Sequence, residues 1–210
     1  MAYGRTMEQR MVEKTIPRQR RRTKTEQRIR EALARLLREK GMDALTVSDV
    51  AREAGINRGT FYAHYTDKFD LMEKQIQSVI DEIRDLLLAP GKERVDAHDL
   101  IPRENVLAAL AYVKENREFV AAVTSDGTDA RLQSQVKEAL AQLIECRARS
   151  YPELTLSYHG VPKDYGREML LSGVTSVIWL WLRKGCVESS EEICDIVFAN
   201  KNLAPGELLD

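Results

Sequence analysis

Cysteine is scarce in this sequence, with three in 210 residues: Cys146, Cys186 and Cys194. The number is odd, and there is no CxxC pair or Cys/His ligand spacing. This fits a reducing cytosol, a cytoplasmic protein and three thiols used as small apolar core side chains, with no metal and no cofactor. Long apolar runs are also lacking. Met1 to Lys24 is polar and rich in arginine, unlike a signal peptide. The most apolar stretch, Met169 to Leu182, is interrupted by Ser172, Thr175 and Ser176 and is too short for a comfortable membrane span, so it reads as a buried core helix. Absent too are a P-loop, G-x-S-x-G, H-E-x-x-H and a dinucleotide fingerprint, which leaves an enzyme without sequence support. The 11 glycines and 6 prolines fall mostly where a helix could end, and Leu, Ala and Glu are plentiful. An all-α protein follows.

The net charge of -1 hides a division. Residues 1–70 hold 16 Lys and Arg against 10 Asp and Glu, a balance of +6, and the remainder carries -7. A basic end on an acidic body is the pattern expected when one end meets a polyanion. Residues 1–22, with Arg18, Arg20, Arg21 and Arg22 beside Pro17, have no sustained apolar period and read as a basic arm. It either lies in a DNA groove or is a solvated tail.

Helical periodicity begins near Thr25, where Ile29, Ala32, Leu33, Leu36 and Leu37 recur at i, i+3, i+4, i+7 and i+8 up to Lys40, with Gly41 as a C-terminal cap. Thr46 and Asp49 form a T-x-x-D cap for a short helix burying Val47, Val50, Ala51 and Ala54. Gly55 ends it, Asn57 caps a third helix over Arg58 to His64, and a fourth carries Met72, Ile76, Val79, Ile80, Ile83 and Leu87 to Leu88. Pro90 and Gly91 break it, and residues 90–103 mark the passage to the body. Further helices are expected over Glu104–Lys114, Arg117–Thr124, Asp129–Ser150, Pro162–Lys184 and Ser190–Asn200. Boundary signals are the Asp126-Gly127 turn, Pro162, Gly185 and the capping pair Ser189 and Glu192. Residues 201–210 read as a tail.

The informative unit is residues 46–65, TVSDVAREAGINRGTFYAHY: a capped helix, a turn at Ala54-Gly55-Ile56, and a second helix with slim or hydrogen-bonding side chains. This is a helix-turn-helix layout, whose second helix enters the DNA major groove. Arg58, Gly59, Thr60, Tyr62, Ala63 and His64 are available outward, while Ile56, Phe61 and Tyr65 face the core. Gly59 suits a close approach to DNA or is merely a permissive surface position.

Leu45-Thr46, Ala51, Ala54-Gly55-Ile56, Gly59-Thr60-Phe61-Tyr62, His64-Tyr65 and Lys68 together resemble the TetR/AcrR family over about residues 23–83. The resemblance implies a homodimer that binds a pseudo-palindromic double-stranded operator through two heads, as a repressor by family default, and a body that binds a small-molecule effector. The expected division is an arm over 1–22, a DNA-binding domain over 23–83, and a helical regulatory and dimerisation domain over 84–210. Carried over by position, Arg58, Gly59 and Thr60 open the recognition helix, and Tyr62, His64 and Lys68 take phosphate- or base-contacting positions. Thr46 caps its helix and reaches phosphate, with Ser48 near the same backbone. Arg58 either reads guanine through a bidentate pair or touches phosphate alone. Tyr65 stands where the family often has Phe, which leaves one hydroxyl in need of a partner.

The body matches more loosely. Its last two helices resemble the segments that pack as a four-helix dimer bundle, with Gly173 and Ser176 allowing close contact and Trp179 or Trp181 either anchoring the interface or filling the protomer core. Conceivable effector-lining residues are Tyr112, Phe119, Met169 and Trp179; the alternative is plain core. His98 and His159 sit in apparent loops without ligand spacing. A rival reading is a co-regulator that keeps the head but docks on a protein partner; the basic head and its DNA-facing residues argue against it.

Overall fold

The computed structural model describes residues 24–90, 101–124, 129–150 and 161–199. The expected basic arm, most of the linker over 90–103, the Asp126-Gly127 turn, His98, His159 and the C-terminal tail lie outside the described residues. Within them the chain is all-helical: α1 (Lys24–Ala44), α2 (Val47–Glu53), α3 (Arg58–Tyr62), α4 (Lys68–Leu88), α5 (Arg103–Glu115), α6 (Arg117–Thr124), α7 (Asp129–Ser150), α8 (Lys163–Arg183) and α9 (Ser190–Ala199). No helix among them is long and apolar enough to cross a membrane.

The apolar period of α1 buries Ile29, Ala32, Leu33, Leu36 and Leu37. Gly41 leaves helical geometry at φ 70°, as its capping position requires, but the chain then resumes one turn to Ala44 instead of ending at Lys40. α2 carries both hydrogen bonds of a capping box between Thr46 and Asp49. It closes with the Gly55 N–H on the Arg52 carbonyl and the Ile56 N–H on the Ala51 carbonyl. This Schellman pattern needs Gly55 at φ 60°, the left-handed region. A Cβ there would also run into the Arg28 guanidinium, which donates to the Gly55 carbonyl at 2.9 Å. α8 closes the same way, with Gly185 and Cys186 bonded back to Leu182 and Trp181. α9 opens with the reciprocal Ser189–Glu192 box.

Head and body share one hydrophobic core, from Ile29, Leu33, Val50 and Phe61 to Phe119, Trp179 and Trp181. α1 packs on α6, and α4 packs on both α5 and α7. The expected boundary at residues 83 and 84 falls inside the continuous α4. The carbonyls of Leu87 and Ala89, near the end of that helix, accept from Asn105 Nδ2 and Arg147 Nη2 at 2.7–3.2 Å, which ties the connecting helix to α5 and α7. Cys186 and Cys194 are buried, but Cys146 is exposed. The core reading therefore holds for two of the thiols and fails for the third, which α7 turns outward.

Candidate nucleic-acid interface

α3 is five residues long and could not persist alone, since a helix this short does not offset its own nucleation. It is held by its cap and by one buried ring. Asn57 Oδ1 accepts from the Thr60 N–H at 2.7 Å and from the Thr60 hydroxyl at 3.1 Å. Phe61 is fully buried, with Tyr62 edge-on at 5.5 Å and Tyr65 tilted at 5.3 Å between ring centroids. Arg58, Gly59, Tyr62 and His64 are left exposed and Thr60 half-exposed, so one face of α3 is free of the protein. The Arg58 guanidinium lies 5.8 Å from the Tyr62 ring centroid and 3.4 Å from its hydroxyl, which splays both side chains along that face. A Cβ on Gly59 would meet Asn57 Oδ1 at 3.2 Å, so this glycine also keeps the cap unobstructed.

At the start of α2, Thr46 and Ser48 are exposed. The Thr46 hydroxyl donates to Asp49 Oδ2 at 2.6 Å and accepts from the Asp49 N–H at 3.2 Å. Asp49 also pairs with Lys40 at 2.7 Å and Arg52 at 2.9 Å. Those partners, Lys40 first and then Thr46, hold its carboxyl well below the usual carboxylate range.

Lys68 has protein partners that its expected role did not include. Its ammonium donates to the carbonyls of Met42, Asp43 and Leu45 at 2.9, 2.8 and 3.0 Å. An ammonium has three donors, and without DNA all three are used on the backbone around the turn after Gly41. The sequence placed Lys68 at the right position on α4 and missed the carbonyls 23 to 26 residues away.

Tyr65 has the partner its hydroxyl needs. Gln75 Nε2 donates to it at 3.0 Å, and Gln75 Oε1 accepts from Arg30 Nε at 2.8 Å. Arg30 is buried, with 4 % of its surface exposed. Its remaining donors reach Ser78 on α4 at 3.1 Å, and Tyr112 and Asn116 at the end of α5 at 3.0 and 3.2 Å. Its cation faces the Phe119 ring at 5.4 Å. Burial draws the guanidinium down to about 10. Arg30 thus connects the residue ending the recognition motif to two helices of the body. Sequence reasoning passed over it, although Arg30 shares a helical face with the apolar Leu33, Ala34 and Leu37, a place where a cation needs a reason.

Of the expected effector-lining residues, Phe119 and Trp179 face an apolar cavity in the body. Tyr112 is turned to Arg30, and Met169 is 67 % exposed; neither borders that cavity. Trp179 and Trp181 are 6 % and 1 % exposed, so both fill the protomer core and neither is available to anchor an interface.

Residues 29–74 match the family model of bacterial regulatory proteins, tetR family, and residues 102–200 match that of a transcriptional regulator C-terminal region. The chain belongs to the TetR family. Proteins of this family are non-enzymatic DNA-binding transcriptional regulators. This TetR-family chain is similar to the uncharacterized HTH-type transcriptional regulator YxbF of Bacillus subtilis, 25 % identical over 174 residues, 82 % of this chain and 43 % of that protein. A 55-residue stretch is 40 % identical to an HTH-type transcriptional regulator of Staphylococcus aureus, covering 26 % of this chain and 30 % of that one. The chain therefore spans less than half the length of these curated relatives. Its fold is similar to that of a putative TetR-family regulator from Syntrophomonas wolfei, at TM-score 0.61 and 18 % identity over 88 % of this chain and 97 % of that one.

Proposed function

We propose that this TetR-family regulator represses transcription in the cytoplasm by occupying a pseudo-palindromic operator as a homodimer, and that a small molecule bound in its body releases it. The head of this reading is residues 23–83 and the body residues 84–210. The observation that carries it is the free face of α3, where Arg58, Gly59, Thr60 and Tyr62 stand together on a helix that the buried Phe61 fixes to the core, with His64 exposed in the turn just after it. Thr46 and Ser48 would meet the adjoining backbone, as a helix preceding the recognition helix does.

The second copy would pack against α8 and α9. Tyr165, Met169, Ser176 and Leu180 recur at helical spacing along the exposed side of α8, and Ile196 is exposed on α9. These apolar side chains replace the tryptophans as the natural interface anchors, with Ser176 allowing close approach. Control by a ligand follows if it favours a body arrangement that misplaces two heads spaced for half-sites roughly 34 Å apart.

Selection of bound DNA from a random library by the full chain, followed by a salt titration of the selected site, tests the reading. Two inverted half-sites and an affinity that falls steeply with salt are expected. No selected motif, together with a co-purifying protein, would favour a co-regulator acting through that partner instead.

A further inference from the structure

The body cavity of about 220 Å³ is walled by α4 to α9 and by Ile101. Among the described residues its wall is apolar throughout, from Ile76 and Val79 on α4 to Phe198 on α9, with no charged side chain. Among those same residues Trp179 supplies the one side-chain hydrogen-bonding group. Trp179 is 6 % exposed, and its indole Nε1 is buried with no hydrogen-bond partner. The contrast lies two residues along the same helix, where Trp181 Nε1 donates to the Glu188 carbonyl at 3.1 Å. Buried donors are ordinarily paired, because one left unpaired in an apolar surround forfeits its hydration for nothing.

We propose that this cavity takes a neutral lipophilic molecule carrying a hydrogen-bond acceptor, and that the acceptor receives the Trp179 Nε1–H. The proposal rests on reading the body as an effector domain. Charge is excluded because a carboxylate or ammonium would lose its water against a wall with no counter-ion. Two cations reach the wall from behind and neither is among its described residues: Arg30, beyond Phe119, already donates to Gln75, Ser78, Tyr112 and Asn116, and Arg147 donates from Nη2 to the Leu87 and Ala89 carbonyls, with its buried Nε unpaired. Size follows from volume: an apolar cavity of ~150 Å³ holds benzene, so this one suits a ligand of roughly ten non-hydrogen atoms.

The test uses the full chain with three probes of one shape, propylbenzene, propiophenone and 3-phenylpropanoate, titrated by calorimetry into the wild type and Trp179→Phe. That substitution keeps an aromatic ring and deletes the donor. We expect propiophenone to bind the wild type and to lose about tenfold in affinity in the variant, propylbenzene to bind both alike, and 3-phenylpropanoate to bind neither. Should the variant fail to fold, nitrogen-15 spectra of the wild type give the same answer, because the chain has two tryptophans and hence two indole N–H signals. The Trp179 signal should shift with propiophenone and not with propylbenzene, while that of Trp181 stays in place. Binding of 3-phenylpropanoate as tight as that of the ketone, or a ketone affinity or indole signal indifferent to Trp179, would overturn the proposal, as would no binding of either neutral probe. Operator selection without any ligand reads the head alone, so failure of the regulator reading would show separately.

Discussion

The Arg30 guanidinium lies 5.4 Å from the centroid of the Phe119 ring, so a cation on the first helix of the head rests on a wall residue of the body cavity. The same guanidinium bonds Gln75, which bonds Tyr65 at the end of the recognition motif. Between cavity and motif there is thus a continuous path of contacts through Phe119, Arg30, Gln75 and Tyr65. Arg30→Met keeps the length and the apolar stem but leaves the buried Gln75 side-chain carbonyl short of its donor. We expect a loss of about 1–3 kcal/mol in urea unfolding from that acceptor. A variant as stable as the wild type would show the network to be dispensable.

Gly55 joins the two helices of the motif at φ 60°, with the Arg28 guanidinium against it. Gly55→Ala should destabilise the chain by ~1–2 kcal/mol for the left-handed backbone alone. Displacing Arg28 adds to this. Operator affinity should fall as well, because the angle between α2 and α3 depends on that turn. Thermal unfolding and DNA titration of one preparation measure both effects.

Lys68→Met separates a capping lysine from a phosphate contact. Removing three charge-assisted hydrogen bonds should cost about 1.5–3 kcal/mol of stability. The slope of log affinity against log salt should be unchanged, whereas loss of a phosphate contact would reduce it by roughly 1.

Arg58→Ala should erase the base preference at one position of each half-site in a repeated selection, at a cost of about 1–3 kcal/mol against the preferred base. An unchanged motif with weaker binding at every sequence would make Arg58 a phosphate contact.

Acid should weaken the fold. The Asp49 carboxyl is held low by Lys40 and Thr46, Asp70 by the Thr66 N–H and Lys74, and Glu192 by the Ser189 N–H. Each group binds its proton less readily folded than unfolded. Its contribution is therefore complete above the ordinary carboxylate pKa of ~4 and is lost as pH falls through the lower folded value. The urea midpoint should hold down to about pH 5 and decline below it, and Asp49→Asn should flatten part of that decline.

The chain order of helices, their caps and the α3 face were legible in the sequence. The patterns behind them span three to eight residues: the apolar period of α1, the Thr46–Asp49 and Ser189–Glu192 boxes, Gly55 and Gly185 in left-handed turns. Local sterics and hydrogen bonding decide such features wherever the segment lies. Arg58, Tyr62 and His64 could be read outward because Phe61 on that short helix and Tyr65 just after its closing turn take the inward positions.

The basic head, the helix-turn-helix layout and the all-helical class therefore belong to the sequence alone. Tertiary structure decided what depends on residues far apart in the chain. It brought Lys68 to the carbonyls after α1, and gave Tyr65 its partner in Gln75. It buried Arg30 between helices 45 to 86 residues distant, and rotated α8 so that Trp179 faces the cavity while Met169 faces solvent. Periodicity gives a helix an apolar side, but which neighbour that side meets, and whether a polar atom on it finds a partner, is fixed only when the helices pack.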